Sequence, residues 1–283
     1  MTVPGGALPL GQPGPDYDYI CRLVLERSAI VLDASKAYLA ESRLGPLAER
    51  EGMRSLAELV ARLRGERFGR LHRKVVEAMT TNETSFFRDV HPFAALRKAI
   101  LPAIVACRGE ERRLSVWSAA CSSGQEPYSI AMLLQDSFPE LAGWRVEIIA
   151  SDLSTAMLAR ARRGLFSQLE VNRGLPATVL IKHFRKRGGD WQIASKIRSM
   201  VEFRELNLAA AWPVLPRMDV ILLRNVLIYF DLETKRRVLA RTREVLRPDG
   251  YLLLGAAETT LNLDDSFEQL RLERSGCYRL RSA

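Results

Sequence analysis

This 283-residue chain has little of what usually advertises a metal site, a disulfide scaffold or a membrane anchor. Its three histidines, His72, His91 and His183, are too few and too scattered for metal binding or for chemistry run by imidazole acids and bases, so each reads as structural. The four cysteines, Cys21, Cys107, Cys121 and Cys277, contain no Cys-x-x-Cys pair. That removes both a disulfide framework and a zinc site and fits a reduced, cytosolic protein. No apolar run approaches the roughly 20 residues of a membrane span. The opening Met1–Pro15 lacks a basic start and is broken by Pro4, Pro9, Pro13 and Pro15, so it reads as a disordered leader and not as a signal peptide. The full Gly-x-Gly-x-x-Gly fingerprint is also missing, which argues against a conventional dinucleotide enzyme.

Positive charge, by contrast, is abundant. Lys and Arg number 42 against 33 Asp and Glu, a net charge of +9 with 27% of residues charged. An acidic protein surface, a nucleic acid or an anionic cofactor would each suit that balance, and charge alone does not choose among them. The excess is localised. Residues 50–74 carry eight basic and three acidic side chains, net +5, and residues 160–204 carry eleven and three, net +8.

Two textures divide the chain. From Tyr17 to about Met79 the apolar spacing is helical: Ile20, Leu23 and Val24, then Leu56, Leu59, Val60 and Leu63, then Phe68, Leu71, Val75, Val76 and Met79. This predicts a small helical bundle, with Ser55 and Glu58 spaced as a capping box. After Phe86, short apolar runs alternate with helical stretches, as in a parallel sheet with crossover helices. The expected strands are Leu114–Ala119, Val146–Ser151, Val201–Arg204, Met218–Leu223, Tyr251–Gly255 and one around Cys277–Leu280. Pro127 suits the first turn of the helix after the first strand. The basic piece centred on Lys182–Arg187, Gly188-Gly189-Asp190 and Trp191–Ala194 reads as a hairpin in a small insertion.

Candidate chemistry gathers at the ends of these strands. Cys121-Ser122-Ser123-Gly124-Gln125-Glu126-Pro127 is a small-residue turn entering a helix, where a ligand can approach the backbone and free N–H groups. Asp152 closes the second strand, where a doubly wound sheet places an acceptor for ribose hydroxyls; its alternative is a structural N-cap. Three further polar segments stand between apolar runs: Thr80–Arg88, Leu223–Asp231 and Arg247–Gly250. The first stands at the domain junction, the second at the end of the fourth strand and the third before the fifth. Polar residues at the carboxyl ends of strands sit where open α/β sheets bind ligands, the alternatives being a plain turn for Asn82 and Thr84 and a core place for Tyr229.

Five blocks, in order, resemble the chemotaxis receptor methyltransferases (CheR). They are Asn82-x-Thr84-x-Phe86-Phe87-Arg88, Trp117–Ser129, Ala150-Ser151-Asp152, Leu206-Asn207-Leu208 and Arg224–Phe230. The resemblance spans nearly the whole chain from Tyr17. It implies a Rossmann-like α/β sheet dependent on S-adenosylmethionine (SAM), with a small antiparallel β-subdomain inserted at about 166–200. The sheet would occupy 81–283 and follow an all-α domain at 16–80. The implied reaction is methyl esterification of glutamate side chains on the cytoplasmic helical domain of chemoreceptors. Carried over position by position, it implies that Asn82, Thr84, Arg88, Glu126, Asp152, Asn207, Leu208, Arg224 and Asn225 line the SAM site. Arg88 and Tyr229 would lie closest to the methyl, and no metal is implied. The protein would be cytoplasmic and recruited to receptor arrays, without membrane insertion.

The chain departs from the family in two places. The usual Gly-His-Ser-Glu after the fifth strand is Gly255-Ala256-Ala257-Glu258. The turn Gly188-Gly189-Asp190 is shorter than the Gly-rich loop of members that tether to a receptor's C-terminal pentapeptide, which puts pentapeptide binding in doubt. Two rivals remain. A nucleic-acid methyltransferase is disfavoured because Asn225–Tyr229 lacks the two prolines of an Asn-Pro-Pro-Tyr motif and the basic stretches are poor in stacking aromatics. A SAM-binding module without turnover would suit the altered Gly255–Glu258 segment, but not the retained Arg88, Asp152, Asn225 and Tyr229.

Overall fold

The helical periodicity of the first eighty residues resolves into four helices: α1 Pro15–Ser28, α2 Ala37–Arg50, α3 Leu56–Gly65 and α4 Arg70–Met79. They belong to a computed structural model that describes residues 14–281. Ile20, Val24, Leu44, Leu59, Leu63, Val75 and Met79 are buried as the core of this unit. Residues 1–13 of the expected leader lie outside the described residues, and Pro15, placed in that leader, is instead the first residue of α1, where its missing N–H costs nothing. Ser55 caps α3 by accepting the Glu58 N–H at 3.1 Å. The Glu58 carboxylate returns to the Arg54 N–H at 2.8 Å, one residue earlier than a regular capping box. Phe68 departs from the expected core. It precedes α4 and is 41% exposed, with the Arg27 guanidinium 4.0 Å above its ring. His72 accepts the Gly69 N–H on Nδ1, so Nε2 carries the proton and donates to the Leu63 carbonyl at 3.0 Å.

A second unit comprises residues from Asn82 onward except Tyr229–Asp231, which group with the helices. Its elements begin with α5 His91–Ala95, which runs through a π turn at Leu96–Ile100 into α6 Leu101–Cys107. Then come β1 Arg113–Ala119, α7 Gln125–Ser137, β2 Arg145–Asp152, α8 Thr155–Arg163, β3 Leu165–Phe166, α9 Gln168–Asn172 and α10 Ala177–His183. They continue with β4 Phe184–Arg187, β5 Asp190–Ile193, α11 Ser195–Arg198, β6 Val201–Glu205 and β7 Met218–Leu223. The last are α12 Leu232–Val245, β8 Leu246–Leu254, β9 Phe267–Leu270 and β10 Gly276–Leu280.

Seven strands form one sheet in the order β6-β2-β1-β7-β8-β10-β9, and three form the inserted sheet β3-β5-β4. In the large sheet β6, β2, β1, β7 and β8 run parallel. Every residue of β7 is buried, as expected for a parallel strand covered on both faces. The sheet is not parallel throughout: β10 runs antiparallel to β8 and to β9. Strand β9 has only four residues and little alternation, which is why its sequence did not announce it.

Strand β8 also begins earlier than expected. Met218 pairs with Leu246 and Val220 with Tyr251, so Arg247–Gly250 bulge out at the amino end of the sheet. Arg247–Gly250 thus precede the paired run from Tyr251, as the sequence suggests, and lie away from the carboxyl ends of the parallel strands. The Arg108 guanidinium bridges Asp219 at 3.0 Å and Asp249, and holds the Asp249 carboxyl below the usual carboxylate range. These charges brace the sheet at the end opposite the carboxyl ends of its parallel strands.

In the insertion, β4 and β5 pair as the expected hairpin through Gly188-Gly189, while Lys182 and His183 close α10 instead of opening the strand. His183 and Lys182 both reach Asp136 of α7. Phe86, Phe166 and Phe184 meet edge to face, with centroids 4.9 to 6.2 Å apart. No helix among the described residues is long and apolar enough to cross a membrane.

Candidate functional site

Strand β1 lies between β2 and β7. From β1 the chain winds outward through β2 and β6 on one side, then returns to build β7 and β8 on the other. The loops at the carboxyl ends of β1 and β7 therefore diverge and leave a crevice, the usual ligand position in such sheets.

The turn after β1 is built from left-handed residues: Ala120 at φ 55°, Ser122 at φ 50° and Gly124 at φ 94°. Such backbone is uncommon outside glycine and concentrates where geometry serves a site. A Cβ on Gly124 would stand 2.9 Å from the Ala161 Cβ, so glycine is required for close packing as well as for its φ. The turn delivers the amino end of α7, whose first-turn amides have no partner within the helix.

Asp152 latches this turn to the next. One oxygen accepts the Ser122 N–H at 2.7 Å and the other the Ser154 N–H at 2.9 Å. Ser154, not Asp152, caps α8, accepting the Met157 N–H. After β6, the Leu206 N–H binds the Asp152 carbonyl at 3.0 Å, and Asn207 accepts the Ala209 N–H in a short side-chain turn. The Leu208 carbonyl takes the indole N–H of Trp212, whose ring packs edge-on against buried Trp117.

The 82–90 segment lies across the same edge. The Asn82 carbonyl accepts from Ser122 Oγ at 2.8 Å, and the Phe87 N–H donates to Ser129 Oγ at 2.9 Å. Phe87, Asp89 and Val90 all have positive φ, at 46°, 67° and 42°. Thr84 and Arg88 are half-buried in this segment, and the Arg88 guanidinium donates to the Glu83 carbonyl at 2.8 Å.

Two expected site residues meet each other. Arg224, 5% exposed, donates to Glu126 at 2.7 Å, to Asp89 at 2.8 Å and to the Arg88 carbonyl at 2.9 Å. The second oxygen of Glu126 accepts from Ser118 Oγ at 2.8 Å. Arg224 is thus committed to protein partners and ties α7 to residues 88–89 at the exit of β7. Asn225 follows in left-handed conformation, φ 57°. Tyr229 falls in the Tyr229–Asp231 segment that groups with the helical unit, where its carbonyl accepts the Val31 N–H at 2.9 Å.

Sequence reasoning missed Glu258 as a member of this edge. It is 8% exposed, and its carboxylate accepts N–H groups from Gly255, Asn225, Val226 and Ile228. The available signal was an acid three residues past a strand-ending glycine. Cys121 is also here but buried. Burial foremost, with Asp152 and Glu126 adding to it, pushes its thiol well above the ordinary range, so it is a packing group and not a nucleophile.

This donor set fits a nucleoside-bearing cofactor: a buried acid at the end of β2, a small-residue turn and the amino end of a helix. Residues 82–275 match the family model described as CheR methyltransferase, SAM binding domain, and residues 15–80 match CheR methyltransferase, all-alpha domain. Among curated proteins, the chain is 45% identical over 266 residues to chemotaxis protein methyltransferase 1 of Pseudomonas aeruginosa, covering 91% of this chain and 95% of that one. It is 41% identical to chemotaxis protein methyltransferase Cher2 of Pseudomonas putida, covering 88% and 92%. To the chemotaxis protein methyltransferase of Vibrio parahaemolyticus it is 39% identical, covering 94% and 97%.

Proposed function

Because the chain belongs to the CheR methyltransferase family, and is a SAM-dependent methyltransferase, we propose that it esterifies glutamate side chains on the cytoplasmic helical domain of chemoreceptors. The observation that carries this reading is the meeting of the 82–90 segment, Asp152, the Glu126–Arg224 pair and Asn225 along one edge of the family-matched domain.

When bound, SAM supplies a methyl group activated by its sulfonium. Asp152 accepts a backbone N–H on each oxygen, which fixes its carboxylate at the end of β2, and in this reading it faces the ribose hydroxyls. Asn82, Thr84, Asn207, Leu208 and Asn225 line the cofactor in this reading, with Glu126 and Arg224 acting largely through each other. The substrate carboxylate, with an ordinary pKa of about 4.3, is already ionised at neutral pH, so no general base is needed. That suits a chain whose His72 and His183 are held in structural hydrogen bonds. The task left to the protein is to align the carboxylate and exclude water. Arg88 steers the carboxylate through its guanidinium, while a place for Tyr229 beside the methyl is what the family resemblance alone implies. Binding too tight would stabilise the ground-state anion and slow attack.

The expected partner is the acidic helical surface of a receptor, reached from a cytoplasmic enzyme gathered at receptor arrays. The test is transfer of labelled methyl from SAM to purified receptor cytoplasmic domains. Label released by mild base, as from an ester, is expected. Label entering nucleic acid and not receptor would overturn the assignment.

A further inference from the structure

The Glu258 carboxylate sits where the exits of two neighbouring parallel strands converge. Leu223 of β7 pairs with Leu254 of β8, so Asn225 and Gly255 leave adjacent strands side by side. One Glu258 oxygen accepts the Asn225 and Gly255 N–H groups, both at 2.7 Å. The other accepts Val226 at 2.8 Å and Ile228 at 3.3 Å. Four backbone donors around one carboxylate form an anion-binding nest filled by the protein's own acid. The neighbouring Ala256 and Ala257 are exposed, and the Glu258 N–H closes the turn on the Gly255 carbonyl at 3.0 Å. The family departure at 256–257 therefore falls on two outward positions and leaves this clamp intact.

We propose that Glu258 is a positioning residue for the cofactor site: its carboxylate fixes the loop after β7 so that Asn225 keeps its left-handed conformation. The role rests on the SAM-dependent reading above, since it acts through Asn225. Three features support it. Asn225 holds φ 57°, in the left-handed region that asparagine enters more readily than most residues but that a loop must still select among its alternatives. The donors to Glu258 begin at Asn225 itself and include two of the next three residues. The space around the clamp is closed, for a Cβ on Gly255 would stand 2.7 Å from Glu258 Oε2 and 2.8 Å from Asn225 Nδ2.

The experiment compares wild type, Glu258→Gln, Glu258→Asp and Gly255→Ala by calorimetric binding of S-adenosylhomocysteine, by kcat and KM for SAM, and by thermal melting. In Glu258→Gln an amide N–H replaces one acceptor and faces backbone donors. Gly255→Ala keeps the carboxylate but displaces it. Both are expected to weaken binding by about tenfold or more and to lower kcat/KM by about 100-fold per folded molecule, the scale of a misplaced site. Glu258→Asp, which keeps the charge on a shorter stem, should recover part of both losses. A merely structural role would lower the melting temperature and leave the affinity of the folded fraction unchanged; that result overturns the proposal. Wild-type protein that fails to bind S-adenosylhomocysteine would instead overturn the functional reading beneath it.

Discussion

Two arginines at the same edge have opposite physical situations. Arg88 is half-buried and its guanidinium donates to the Glu83 carbonyl on an exposed side, so it can turn to a substrate at little cost to the fold. Arg88→Ala should therefore lower methyl transfer by about 100-fold while stability stays within about 0.5 kcal/mol. Steady-state turnover beside a melting curve checks this, and full turnover in folded protein would remove Arg88 from the mechanism. Arg224 is buried between Glu126 and Asp89. Arg224→Ala leaves a buried carboxylate unpaired and should cost about 3–5 kcal/mol, read by denaturant unfolding. The sequence placed both residues in one ligand-lining set, since a guanidinium's partners are absent from a linear pattern. Glu258 escaped for the same reason: its four donors come from two loops about thirty residues apart in the chain.

Among elements, the inserted subdomain is joined to α7 by a small charge cluster. Partial burial pushes the Asp136 carboxyl up, but hydrogen bonds from Lys182 and His183 outweigh that and hold it below its ordinary range. A carboxyl whose folded pKa is depressed stabilises the fold fully above its unfolded value near 3.9, and that contribution is lost as pH falls through the lower folded value. Asp136→Asn should accordingly destabilise the protein by about 1 kcal/mol at pH 7, with the difference from wild type shrinking as pH falls below the unfolded value and lost once it passes the lower folded value. Chemical denaturation along a descending pH series measures it. Central strands such as β7 were legible because a continuous apolar run buried on both faces has few alternatives. The early start of β8 was not, because the bulge at Arg247–Gly250 is fixed by pairing with Met218 and by the Arg108 ion cluster.

At the scale of the whole molecule, the charge excess is partly neutralised within the fold. Arg62, Lys74, Arg160, Arg173, Lys182 and Arg204 all pair with carboxylates. Edge strand β4 still presents exposed Arg185, Lys186 and Arg187. If this surface meets acidic receptor helices, KM for receptor should rise steeply between 50 mM and 300 mM salt with little change in kcat. A salt-independent KM would assign the excess to ordinary solvated faces. The two-glycine turn between β4 and β5 leads to a further expectation: receptors with and without a C-terminal pentapeptide should be methylated at equal rates.

The sequence by itself determined the helical bundle, the order of the main strands and the family blocks. These depend on local periodicity and on residues contiguous in the chain, which a linear pattern preserves. Only the tertiary structure decided that Arg247–Gly250 form a bulge within β8, that β9 and β10 run antiparallel, and that Arg224 and Glu258 hold protein groups. Those outcomes depend on strand register and on hydrogen bonds between distant loops, which exist only once the sheet has brought its strand ends together.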